Sequence, residues 1–268
     1  MHSLVLLLAA LCLVAFGPAP LHAQGGEEPS KQPASNPAGA KVASELMEAA
    51  KARIKKTGDT DYSLGDIRFS SATHEVRIPA VVNMTEGILE YALVHETGKT
   101  HESLLRTTVS PTELNVALLL CHYEPHIKEA AQFLPDPKPE TRAKMALPME
   151  REGANQVRIT AQWKDKDGKE RIAKLSDWIL NKKRGAALQL DHWTYTGSFI
   201  SQTGYAAEHD GSHAALYFDL VSLINCPHEG NSDDELWFVE KSAVPPSDTP
   251  VTLVFSPVLP NAASPTSK

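Results

Sequence analysis

A chain of 268 residues, 42% hydrophobic and 22% charged, carries enough apolar content for one large domain or two small ones. Its formal charge of −7 argues against nucleic acid as a general partner, because phosphate binding wants a basic surface. Three cysteines are too few for a disulfide-built scaffold.

Residues 1–23 read as a secretory signal. Leu4 to Phe16 is almost unbroken apolar, and Leu21-His22-Ala23 sets a small residue before a cut at Gln24. The n-region is weak, with no Lys or Arg. An uncleaved anchor is the alternative, but the apolar run is short for a full span. The expected location is extracytoplasmic, periplasmic or secreted, with no transmembrane span after cleavage. Cleavage would leave Cys121 and Cys226, whose pairing stays open: an oxidising compartment allows it, and a buried thiol on an apolar helix is common.

Residues 24–40, rich in Gly, Pro, Ser, Asn and Glu, read as a disordered linker. An amphipathic helix is expected over 41–57, with Val42, Leu46 and Ile54 on one side and Thr57-Gly58-Asp59 ending it. The main domain is expected over 60–256. Strands at Asp66 to Ser70 and Glu75 to Val82 flank Ser71-Ala72-Thr73-His74.

Gly87 to Cys121 organises the chain. Ile88 to Val94 is apolar except for Glu90, and Ser103 to Val109 reads as a return strand. Gly98, inside Glu96-Thr97-Gly98-Lys99, is the only Gly between them, a hairpin signal whose register stays open. Ser110-Pro111-Thr112-Glu113 starts a helix with a cap, a Pro at the first position and a capping box. Leu114, Ala117, Leu118 and Cys121 give it an apolar face that must pack on other structure.

His122-Tyr123-Glu124-Pro125-His126 leaves that helix, and Ile127 to Phe133 suits a further helical turn or two. The Pro- and charge-rich segment 135–155 reads as a surface loop that could divide two lobes. Gln156 to Trp163 alternates, Asp165-Lys166-Asp167-Gly168 turns, and Glu170 to Leu175 returns: a second hairpin. Ser176 to Leu180 suits a short helix. Trp193 to Ile200, Gly204 to Ala207, His213 to Phe218, Leu236 to Val239 and Val251 to Phe255 are strand candidates, and 257–268 is a flexible tail. The fold expected is α+β and strand-rich, with antiparallel hairpins packed against the short apolar helix.

The chemistry concentrates around Gly98. Gly98-Lys99-Thr100 is no P-loop, since Leu93 stands where that loop needs Gly and a strand follows the lysine. His95, His101 and Glu102 are candidate ligands for a divalent metal such as zinc, if the hairpin register brings them together. No catalytic set is assigned. Adjacent strand residues face apart, so Glu102 cannot orient His101 across a strand, and His101 and Ser103 would lie about 7 Å apart. Lys99, His101, Glu102 and Ser103 stand as candidate ligand-binding residues. Glu208 to His213 and Cys226-Pro227-His228-Glu229 are polar clusters that turn chemistry explains.

Leu89-Glu90-Tyr91, then Gly98-Lys99-Thr100-His101-Glu102-Ser103-Leu104-Leu105 and Ala117 to Leu120, resemble the YdjY-domain family, a bacterial family without an assigned function. Asp177-Trp178, Gly197-Ser198, Tyr205-Ala206-Ala207, Gly211 and the closing Val244-Pro245-Pro246 to Val254 are similar to it too. The resemblance implies no reaction. Together these observations predict a module that binds an envelope protein, a small ligand or a metal through the Gly98–Ser103 segment. A metal-dependent or nucleophilic envelope hydrolase and a structural envelope protein without a small-molecule site are the alternatives.

Overall fold

The computed structural model describes residues 37–125, 155–201 and 203–258. The signal, most of the linker, the 135–154 loop, Ile127 to Phe133 and the end of the tail lie outside them. Among the described residues, no helix is long and apolar enough to cross a membrane.

The described chain is strand-rich with few helices. Helix α1 (Pro37–Ala52) precedes β1 (Lys55–Lys56), β2 (Asp61–Leu64), β3 (Ile67–Ser70) and β4 (Val76–Val82). Strands β5 (Tyr91–His95) and β6 (Ser103–Thr107) lead to α2 (Pro111–Leu120). Next come β7 (Gln156–Lys164), β8 (Glu170–Lys174), β9 (Ile179–Asn181), β10 (Ala186–Ala187), β11 (Trp193–Tyr195), β12 (Ile200–Ser201) and β13 (Gly204–Tyr205). A short helix α3 (Ala206–Asp210) precedes β14 (Ser212–Ala215), β15 (Ile224–Asn225), β16 (Trp237–Val239) and β17 (Pro250–Pro257).

Eight strands close a barrel in the order β4-β17-β7-β11-β15-β14-β5-β6, sealed by pairing of β6 with β4. Strands from before and after the 126–154 segment share it. Period-two burial builds its core: Ile78, Leu253 and Ala161 stand in one cross-strand row, and Val76, Phe255 and Ile159 in another, all buried. Each of these side chains larger than Ala161 contributes about 1.5–3 kcal/mol.

One expectation changes here and one open question closes. The segment read as a hairpin around Gly98 is not one. Strands β5 and β6 run parallel, with Tyr91 opposite Ser103, Leu93 opposite Leu105 and His95 opposite Thr107. Residues 96–102 therefore fold back along the strand as a crossover, and the open question of hairpin register falls away. Cys121 and Cys226 are both free and buried, and burial pushes each thiol up to about 12.

Helix α2 starts as its sequence requires. The Ser110 hydroxyl accepts from Glu113 N at 3.3 Å, and Pro111 holds the first turn. The Glu113 carboxylate turns away to Arg53, so the capping box does not close on itself. Glu208 replaces it, accepting from Ser110 Oγ at 2.6 Å and Thr112 N at 2.9 Å. Leu114, Ala117 and Leu118 are fully buried, and Asn115 accepts from the Tyr195 hydroxyl in the core.

Candidate functional site: the crossover between two parallel strands

The crossover is tied down at both ends. Glu96 N donates to Thr107 O at 2.9 Å, Gly98 N to His95 O at 2.8 Å and Glu90 N to Glu102 O at 3.0 Å. Asn83 Nδ2 donates to Thr100 O at 2.6 Å and Ser103 O at 2.7 Å. Between these anchors Thr100–Glu102 makes one 3₁₀ turn. Gly98 closes the turn from His95 and also serves contact. A Cβ there would stand 3.1 Å from Asp210 O and 3.2 Å from Gly211 O. A Cβ on Gly211, at φ 71°, would stand 3.1 Å from the Gly98 Cα. The two glycines let backbone pass backbone.

Lys99 is the hub. Its ammonium donates to the Tyr91 hydroxyl at 2.7 Å and pairs with Asp210 Oδ2 at 3.2 Å. Tyr91 donates onward to Asp219 Oδ2 at 3.0 Å, and Ser212 Oγ donates to Asp210 Oδ2 at 2.7 Å. Asp219 is itself held, its Oδ1 accepting from Val221 N at 2.9 Å. Burial above all, then the Asp219 carboxylate, pushes the Tyr91 phenol far up, so Lys99 faces a neutral hydroxyl. Glu90 lies on the rim. Burial chiefly, then the carboxylates of Glu102 and Asp234, raises its carboxyl above the ordinary range.

The four candidate ligand-binding residues divide. Lys99 is half exposed within this network, and Ser103 is buried, its hydroxyl donating to Leu105 O at 2.7 Å. His101 is 77% exposed, its Nε2 3.6 Å from Glu102 Oε2. The candidate metal ligands do not gather: the His95 ring sits on Thr97 Oγ1 at 2.7 Å while His101 turns to Glu102. Among the described residues no three His, Cys, Asp or Glu side chains stand close enough together to hold an ion.

Sequence reasoning gave Tyr91, Asp210, Ser212 and Asp219 no role. Tyr91 could have been found, since it lies inside the motif that carries the family resemblance. Asp219 carries no local signal, and only the fold brings it to Tyr91. Tyr205 and Ser198 act from behind: Tyr205 donates to Gly197 O at 2.8 Å, and Ser198 Oγ accepts from Ala207 N at 3.1 Å, setting α3 so that Asp210 reaches Lys99.

On the outer face of the sheet, an open groove of about 790 Å³ runs across Pro79, Val81, Thr252 and Gln162, walled by Glu96 and Arg106 on one side and Lys164 and Glu170 on the other.

This is an eight-stranded barrel domain whose distinctive feature is a lysine-centred polar crossover between parallel strands. The YdjY domain family matches residues 67–256, and the chain belongs to that family. No curated protein and no solved structure matches the chain.

Proposed function

We propose that this YdjY domain is an extracytoplasmic recognition module that binds a cationic group, on an envelope protein or a small ligand, at the rim formed by Glu90, His101 and Glu102. One observation carries the reading. Glu90 is held part-buried beside Glu102 and Asp234, so burial chiefly and then those two carboxylates raise its carboxyl, and a bound cation would offset both. Lys99 offsets this only in part, since its ammonium also pairs with Asp210. The placement of the reactive groups favours binding over hydrolysis: Ser103 is buried and committed to Leu105 O, and Tyr91 keeps its proton. Export of the chain rests on the apolar run at Leu4 to Phe16 and the cut site before Gln24.

The test uses a lysine-containing tripeptide amide as cationic probe and its glutamate counterpart as control. The carboxyl carbon of Glu90 is followed by NMR through a pH titration. The reading expects the cationic probe to lower the Glu90 midpoint and Glu102→Gln to weaken binding. A midpoint indifferent to the cationic probe, with binding of the anionic one, would overturn it.

A further inference from the structure

Two histidines far along the chain from one another meet on the opposite side of α2 from its capped start. His74 closes the four-residue turn between β3 and β4, where Ser70 N donates to Glu75 O at 3.0 Å and His74 N to Ser70 O at 2.9 Å. His122 is the first residue past the α2 cap. There Tyr123 N donates to Leu118 O at 3.1 Å and His122 N to Leu119 O at 3.1 Å, the paired bonds of a Schellman ending. Both positions call for a left-handed backbone, the place of Gly or Asn. The chain uses histidine at both, at φ 58° and 64°. Among the described residues only Ser198 and Asp248 also carry a side chain at positive φ. Half of these uncommon conformations thus fall on one pair of imidazoles.

The fold sets the two rings against each other. Cys121 seats the end of α2 on the β3–β4 turn, its Sγ 3.7 Å from Ser70 O and 3.9 Å from Glu75 O. The ring centroids of His74 and His122 are then 5.4 Å apart at an interplanar angle of 72°. His74 Nδ1 is buried without a hydrogen-bond partner among the described residues. A buried polar nitrogen left unpaired calls for an explanation. The His122 residue is exposed, so its ring is free to turn.

We infer that His74 and His122 form a two-histidine site for a divalent transition-metal ion of the imidazole-preferring kind, such as Zn²⁺ or Cu²⁺. The spacing fits. Zinc–nitrogen bonds of about 2.0–2.1 Å put each ring centroid about 3.2 Å from the ion, and a tetrahedral angle then separates the centroids by about 5.2 Å. The His74 Nδ1 lone pair becomes a ligand in place of an orphan acceptor. The ion would sit beyond the last turn of α2, where the negative end of the helix dipole favours positive charge. Two protein ligands leave the remaining positions to water. Calcium and magnesium, which take oxygen ligands, are excluded by the donor set. Because the ion bridges the β3–β4 turn and the end of α2, binding it staples two elements that otherwise meet through Cys121.

The test is calorimetry of the untagged full chain with Zn²⁺, beside His74→Gly and His122→Gly. Glycine suits both left-handed positions, so each variant should melt no lower than the wild type without metal. The inference expects one Zn²⁺ per chain, a melting temperature raised by Zn²⁺ in the wild type, and an affinity at least tenfold weaker in each variant. Ring resonances give a second readout in the wild type: His74 and His122 should shift first on adding Zn²⁺, and Mg²⁺ should shift neither. Absence of Zn²⁺ binding, binding that survives either substitution unchanged, or first shifts at other histidines would each overturn the inference.

Discussion

Two segments of this barrel join neighbouring strands through short, charged, glycine-containing loops, and they do so in opposite ways. Between β7 and β8 the chain reverses over five residues. Asp165 Oδ1 accepts from Asp167 N at 3.0 Å and Lys169 N at 2.9 Å, Gly168 takes φ 75°, and the strands pair antiparallel with Lys164 opposite Glu170. Between β5 and β6 the chain spends seven residues and returns parallel. The first loop is held by its own side chain and turned by its glycine. The second is held by the rest of the protein: Asn83, Asp210, Gly211 and Asp219 fix it, and its glycine makes room for them. A hairpin turn is a local object. A crossover is built from residues that meet only in the fold, and partly buried polar groups that need those partners gather there. That is why the candidate site lies at the second loop.

The matched glycines should break this contrast most sharply. Gly211→Ala places a Cβ at positive φ and 3.1 Å from the Gly98 Cα, so it should cost about 2–5 kcal/mol in denaturant unfolding, the sum of conformational strain and overpacking. Gly168→Ala has a similar φ and nothing within 4 Å, and should cost about 1–2 kcal/mol. Equal losses would mean that the crossover glycines serve only backbone conformation.

Acid should loosen the two regions in different pH windows. His213, beside the crossover, is fully buried with Nε2 donating to Val109 O at 2.9 Å, and burial pushes its pKa down to about 3. The folded state holds it neutral, while the unfolded chain takes up a proton below about pH 6.5. Its contribution to stability is therefore complete above about 6.5 and falls by about 1.4 kcal/mol per pH unit on the way down to 3. At the β7–β8 turn the depressed group is Asp165, held low by hydrogen bonds from Lys169 and Arg171, so its contribution is present above about pH 4 and fades only below it. Stability curves from pH 7 to 4 should slope down in the wild type and flatten in His213→Asn. A slope unchanged by that substitution would count against the neutral, buried histidine.

A lysine pair gives the next effect. Lys99→Met strips the ammonium from Tyr91 and Asp210 and should cost about 1–2 kcal/mol, discounted for its half-exposed position. Lys164→Met on the hairpin, where Lys164 and Glu170 are both 70% exposed, should change stability by less than about 0.5 kcal/mol. The smallest effect is at His101. His101→Ala should stay within about 0.5 kcal/mol of wild type, since the ring is largely in solvent. A clear loss there would move His101 from the recognition rim into the structural clamp.

The same contrast explains what could be read in the sequence. The β7–β8 hairpin was legible because period-two alternation and an Asp-Gly turn are local signals. So was the start of α2, from Ser110 and Pro111. The direction of β6 was not. A lone Gly98 between two apolar runs suits a hairpin, and the residue that decides otherwise, Gly211, lies more than a hundred positions away. The two-residue strands β10 and β15 gave no pattern long enough to read. At the site, Lys99, His101, Glu102 and Ser103 stood out by type, yet their division between the Lys99 clamp and the rim depends on Tyr91 and on the distant Asp210 and Asp219. The family motif had placed Tyr91 in the right company without saying why.

Everything built on the crossover requires β5 and β6 to be parallel, and backbone NMR tests that directly. The account predicts interstrand contacts between the backbone protons of Leu93 and Leu105 and of Tyr91 and Ser103, together with a slowly exchanging Glu96 amide bonded to Thr107 O. Contacts that instead pair His95 with Ser103 and run antiparallel outward from there would restore the hairpin and remove the site described for Lys99.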